Sequence, residues 1–215
     1  MPHYAIIGAT GLIGSHILQE LLQQSESTIT VVVRKSLPCQ DPRVKEVVID
    51  FSDEQALIKA LAGCETVFVA IGTTQKKVKG DVVAYRKVDH DIPIAVAKAC
   101  VANSIPRILI VSSVGASSRS KNFYLRIKGE VEDTIAAMPI PHISFFQPSL
   151  LLGDRQEFRL GEKISQLIYP KIDFLLPARY RSISAATVAK AMIRASSESE
   201  KGLRRYTYRS MMERN

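Results

Sequence analysis

Tyr4-Ala5-Ile6-Ile7-Gly8-Ala9-Thr10-Gly11-Leu12-Ile13-Gly14 decides the fold of this 215-residue chain. Four residues suited to a buried strand run into three glycines spaced three apart. Leu12, Ile13, Ile17, Leu18, Leu21 and Leu22 then repeat as the apolar stripe of an amphipathic helix. In such a strand–turn–helix unit the first glycine permits the tight turn. The second lets backbone approach a pyrophosphate, and the third lets the helix pack against the strand. Amides over 11–13 then meet phosphate at a helix N-terminus, where the helix dipole favours an anion. The stretch from Gly8 through Ala9, Thr10, Gly11, Leu12 and Ile13 to Gly14 therefore predicts a dinucleotide site.

Outward from that turn, strands and helices alternate. Short apolar runs at 5–8, 29–33, 44–49, 66–71, 107–112 and 143–147 read as strands. Helices are predicted at 53–61 with Ser52 as N-cap, at 82–103 with a break or bend at Pro93, and at 122–138. After Pro148 the pattern loosens into a short helix at 161–168, a loop at 170–181, a helix at 187–195 and a last strand at 204–208. Near-continuous apolar strands separated by helices imply a parallel sheet covered on both faces. The expected fold is α/β: a Rossmann-type doubly wound parallel sheet of about seven strands. Residues 1–215 form one dinucleotide-binding domain in this reading, with 149–215 supplying a small cap folded over the sheet's C-terminal edge.

The second strand bears on which dinucleotide is bound. An acid at its end would accept a hydrogen bond from the ribose hydroxyl of NAD, but Val31-Val32-Val33 is followed by Arg34 and Lys35. Both cations can pair with a 2′-phosphate and arginine can also stack on adenine, so the expected cofactor is NADP. Asp50, after the third strand, is placed to accept from the adenine amine, with Phe51 lining the ring. Ala70-Ile71-Gly72-Thr73 is placed beside the adenosine ribose and pyrophosphate.

Strand five ends in Ser112-Ser113, and Tyr124 and Lys128 follow at a spacing that puts both on one helical face. A phenol beside an ammonium can give a proton to a carbonyl oxygen, or take one from an alcohol, while hydride moves to or from a nicotinamide. A serine hydroxyl would orient that oxygen.

With these residues in hand, nearly all of the chain resembles the short-chain dehydrogenase/reductase superfamily. It looks in particular like the atypical branch related to the Tat-interacting-protein oxidoreductases. The marks are Gly8–Gly14, Gly72-Thr73-Thr74, Ser112-Ser113-Val114-Gly115-Ala116, Tyr124-Leu125-Arg126-Ile127-Lys128-Gly129-Glu130, and the run from Phe146 to Arg155. The resemblance implies a seven-stranded sheet with NADP on its C-terminal edge and a catalytic set of Ser112 or Ser113, Tyr124 and Lys128. Ser112 is preferred because Gly115 follows three residues later. It also implies that Pro148, Ser149 and Leu150 pass by the nicotinamide. One departure is Ala70-Ile71-Gly72 where many members carry an asparagine.

Two function classes follow: an NADP-dependent oxidoreductase acting on a small carbonyl or alcohol, or an NADP(H)-binding regulatory or assembly protein with little turnover. The net charge of +8 raises a third, nucleic-acid binding, but basic residues concentrate only at Lys76, Lys77 and Lys79 and near Arg204, Arg205 and Arg209, without a recognised binding motif. A protein partner or homodimer is compatible with the sequence. Cys39, Cys64 and Cys100 are too scattered for a disulfide framework, and His3, His16, His90 and His142 do not group as metal ligands, so no metal is expected. His90, within Asp89-His90-Asp91, reads as part of a solvated helical face. No apolar run reaches the roughly 18 residues of a membrane span and the first strand leads straight into the glycine turn, so a cytoplasmic protein is expected.

Overall fold

The computed structural model describes residues 1–24, 27–36, 41–152 and 177–213. Among them, seven strands form one sheet: β1 (His3–Ile7), β2 (Thr28–Val33), β3 (Val44–Val48), β4 (Thr66–Val69), β5 (Arg107–Val111), β6 (His142–Phe146) and β9 (Gly202–Tyr206). Their order across the sheet is β3-β2-β1-β4-β5-β6-β9. Every pairing is parallel, so all seven strands end at the same edge. The order turns back between β1 and β4, the switch point at which ligands bind in open sheets of this kind. The expected doubly wound parallel sheet is thus the observed one. A two-stranded parallel ribbon, β7 (Leu151–Leu152) with β8 (Ile183–Ser184), lies beyond β6.

Side-chain alternation explains why the central strands are apolar throughout. Ile6, Val31, Phe68, Leu109 and Phe146 point to the face covered by α1 (Leu12–Gln23) and α6 (Ala185–Ala195). Ala5, Ile7, Val32, Val67, Ile108, Ile110 and Phe145 point to the face covered by α2 (Glu54–Leu61), α4 (Ile92–Ala102) and α5 (Phe123–Ala136). Phe68, Phe145 and Phe146 are completely buried, each contributing on the order of 2–3 kcal/mol.

Three local expectations change. The N-cap of α2 is Asp53, whose carboxylate accepts the Ala56 amide, while the Ser52 amide donates back to Asp50. At Pro93 the helix neither breaks nor stops: α3 (Val82–Arg86) continues through a π-helical segment, Lys87–Asp91, into α4. A proline ring clashes with the carbonyl four residues earlier, here that of Asp89, and a widened turn relieves the clash. The last strand ends at Tyr206, which stacks on Phe146 with ring centroids 4.5 Å apart. Thr207 and Ser210 then form a capping box that starts α7 (Tyr208–Met212) and carries Tyr208 out of the strand.

Part of the expected cap belongs to the main layers. Within 149–215, β9 pairs with β6 and α6 packs on the α1 side of the core. The helix expected at 161–168, the first part of the loop at 170–181, and Cys39 lie outside the described residues.

Candidate functional site

The glycine turn is built by close backbone approach. Gly8 has φ +93°, and a β-carbon there would lie 2.7 Å from the Ala70 carbonyl oxygen; one on Gly14 would lie 2.1 Å from the Gly8 oxygen. The turn is therefore wedged against the exit of β4, and α1 is seated directly on it. The Gly11 amide donates to the Gly8 oxygen at 2.9 Å. Gly11 is also the N-cap of α1, offering no side-chain cap, and the first turn of α1 carries no acid. That combination suits a phosphate.

Around this turn the parallel sheet gathers the other sequence-predicted cofactor residues at one edge. Arg34 and Lys35 follow β2 and are exposed. The exit of β3 runs beside them, with the Ile49 amide donating to the Val33 oxygen. Asp50 accepts the Ser52 amide at 3.0 Å, and that bond holds its carboxyl below the usual carboxylate range. Phe51 is buried. The exit of β4 carries half-buried Ala70 and Ile71, then exposed Gly72. A cavity of about 440 Å³ lies beside Phe51, lined also by Ser52, Lys87, His90, Ile92 and Ala95.

The two candidate serines part company. The Ser112 hydroxyl donates to Glu132 Oε1 at 2.5 Å, and both residues are buried. Glu132 also receives Gln147 Nε2 at 2.8 Å and Arg205 Nε at 2.9 Å. One carboxylate on α5 thereby ties together the ends of β5 and β6 with β9. The Ser113 hydroxyl has a marginal 3.4 Å contact with the Val114 oxygen, one residue nearer the turn at Gly115. Val114 donates its amide to the Pro148 oxygen, and Leu150 accepts from Ile183, so 148–150 runs beside the segment that follows Ser113. The Ser149 hydroxyl donates to the Arg181 carbonyl.

Tyr124 is half-buried in the first turn of α5, and Lys128 is buried one turn on. Lys128 Nζ lies 3.1 Å from Asp89 Oδ1. Asp89 is 1% exposed, which corrects the solvated helical face expected for Asp89-His90-Asp91. Its other oxygen accepts the Thr73 amide at 2.7 Å. His90 turns the other way, to Asp91 at 2.8 Å. Asp89 and Glu132 are the charged residues that sequence reasoning missed. The available signal for Asp89 was Pro93 four residues later, and for Glu132 its place four residues after Lys128 on the face that carries Tyr124.

A family model described as NAD(P)H-binding matches residues 8–199. The chain belongs to the NAD(P)H-binding family. It is 31% identical over 192 residues to Protein HTATIP2 of Rattus norvegicus, covering 87% of this chain and 78% of the rat protein. It is 31% identical over 200 residues to "Protein FMP52, mitochondrial" of Debaryomyces hansenii, covering 90% of this chain and 87% of the yeast protein. The structure of a Thermus thermophilus UDP-glucose 4-epimerase in complex with NAD superposes with a TM-score of 0.72 at 17% identity, covering 98% of this chain and 81% of that one. At that identity the likeness shows the fold.

The resemblance drawn from the glycine turn and the Tyr124–Lys128 segment therefore holds at family level. The cytoplasmic expectation does not: several fungal relatives are named mitochondrial proteins. Among the described residues no helix is long and apolar enough to cross a membrane. For this member of the NAD(P)H-binding family, the family description covers both dinucleotides.

Proposed function

We propose that the protein is an NADP-dependent oxidoreductase acting on a small carbonyl compound, with Tyr124 as proton donor, Lys128 on the cofactor side and Ser113 orienting the carbonyl oxygen. The observation that carries this reading is Tyr124 and buried Lys128, one turn apart on α5, at the sheet edge that also holds the glycine turn. The contacts at Gly8 and Gly14 fit a dinucleotide, because the backbone comes close where a side chain would block it. When bound, NADPH supplies the hydride that reduces the carbonyl carbon.

The chain's own residues do the rest. Tyr124 gives its phenolic proton to the carbonyl oxygen as that oxygen gains charge. Ser113 donates a hydrogen bond to the same oxygen; Ser112 is unsuited to that role because its hydroxyl is engaged by Glu132. Lys128 holds the nicotinamide ribose hydroxyls, and Arg34 with Lys35 pairs the 2′-phosphate. Pro148, Ser149 and Leu150 line the nicotinamide side, while Asp50 and Phe51 receive the adenine.

The test is NADPH oxidation against a panel of aldehydes and quinones. The expected result is turnover that falls at least a hundredfold in Tyr124→Phe while NADPH affinity stays within about threefold. Unchanged turnover in that variant overturns the proton-donor assignment. Tight NADPH binding without turnover across the panel moves the reading to an NADP(H)-binding regulatory or assembly protein.

A further inference from the structure

We infer that Asp89 is a positioning residue of the dinucleotide site, acting through Lys128 and the loop after β4. The inference rests on the reading of Lys128 as a cofactor contact. Its basis is that one buried carboxylate serves two elements at once. Oδ1 takes the Lys128 ammonium at 3.1 Å, and Oδ2 takes the Thr73 amide at 2.7 Å. Lys128 comes from α5 and Thr73 from the exit of β4, so Asp89 joins the two elements. The loop sits close: a β-carbon on Gly72 would lie 3.3 Å from Oδ1.

Folding alone gives little reason for this pair. Lys128 is 6% and Asp89 1% exposed. Removing two charges from water offsets most of their attraction, and an apolar pair of similar volume commonly serves stability as well. What an apolar pair cannot do is hold an ammonium at a fixed point while ordering a backbone amide beside it. The contact also lies in an irregular part of the helix. Asp89 sits within the π-helical segment Lys87–Asp91, which ends just before Pro93, and such widened turns are frequent at functional sites. Asp89 lies four residues after buried Tyr85 and four before Pro93, on the inward stripe, whereas His90 is half-buried and Asp91 exposed. Without the carboxylate, Lys128 would be a buried ammonium deprived of this partner and the Gly72-Thr73 loop would lose an anchor. Both changes fall on the side where the dinucleotide is placed.

The test is a double-mutant cycle on NADPH affinity, read from nicotinamide fluorescence without any need for turnover. The four proteins are wild type, Asp89→Asn, Lys128→Met and the double variant. Asparagine keeps an acceptor for the Thr73 amide and removes the charge that holds Lys128. Expected are losses of tenfold or more in each single variant, with the double variant no weaker than Lys128→Met alone. Losses that multiply would show that Asp89 does not act through Lys128 and would overturn the proposal. So would an Asp89→Asn protein with affinity within twofold of wild type.

Asp89→Glu guards against a single variant that fails to fold, since it keeps the charge and moves the carboxylate by one methylene. Its NADPH affinity should fall at least fivefold with melting temperature retained; unchanged affinity overturns the proposal. A Lys128→Met protein that binds NADPH as tightly as wild type removes the lysine from the cofactor site, so the underlying reading fails there and not at Asp89.

Discussion

Ser112 and Ser113 are adjacent in sequence, and the structure separates what their removal should do. In Ser112→Ala a buried hydroxyl that donates to Glu132 at 2.5 Å is lost. A hydrogen bond to a charged group contributes about 1.5–3 kcal/mol. The same Glu132 oxygen keeps Gln147 at 2.8 Å and the other keeps Arg205 at 2.9 Å, so the carboxylate is not abandoned and the lower half of that range applies, about 2 kcal/mol. In a chain of 215 residues each kcal/mol moves Tm by about 2–4 °C, giving a drop of about 4–8 °C. Turnover should be nearly untouched below that temperature.

Ser113→Ala removes only a marginal 3.4 Å contact, so its stability cost should stay under about 1 kcal/mol. A donor aimed at a reacting oxygen is a different matter: its loss should lower kcat about a hundredfold. Thermal unfolding and NADPH oxidation on the same two purified variants read both quantities. A Ser112→Ala protein that loses turnover at unchanged Tm, beside an active Ser113→Ala, would refute the assignment of the two hydroxyls.

Two further outcomes are expected. Arg34→Ala should weaken NADPH at least tenfold and NADH less than twofold, measured by fluorescence titration; equal losses would remove the 2′-phosphate from the reading of this exposed strand-end cation. Burial pushes the Cys64 thiol up to about 11 and the Cys100 thiol up to about 12, from 9.0. The unfolded chain then releases these protons first as pH rises. Their contribution to stability is present in full below about pH 9 and lost as pH climbs towards the folded values. Urea midpoints should accordingly fall between about pH 9 and pH 11, and fall less steeply in Cys100→Ala than in wild type.

The parallel sheet was legible because its strands are buried on both faces, which leaves Val31-Val32-Val33 and Arg107-Ile108-Leu109-Ile110-Val111 with little polar interruption. The glycine turn was legible because packing at Gly8 and Gly14 admits no side chain. Asp89 was hidden by its charged neighbours. Asp89-His90-Asp91 reads locally as a polar patch, although Asp89 falls between Tyr85 and Pro93 at the spacing of the buried stripe. Glu132 was hidden for another reason: its three partners come from the residues just after β5 and β6 and from β9, at sequence separations of 20, 15 and 73. Helical spacing aligned it with Tyr124 and Lys128, but gave no indication that strand ends from elsewhere would converge on it. The engagement of the Ser112 hydroxyl was hidden for the same reason, since Glu132 is on another element.

The choice between NAD and NADP turns on an equally local matter. A structural neighbour bound to NAD shares the backbone arrangement at 17% identity, yet similarity of backbone says nothing about the side chains that meet the 2′ position. In the proposed reading that position falls at the end of β2, where this chain turns from buried Val33 to exposed Arg34 and Lys35. An acid there would be repelled by a 2′-phosphate, whereas two cations attract it and gain little from a bare hydroxyl. Both dinucleotides would still share the pyrophosphate contacts at Gly11 and the ribose contacts at Lys128. Absolute affinity therefore reports mostly on the shared contacts. The ratio of NADPH to NADH affinity, and its collapse in Arg34→Ala, isolates the strand end.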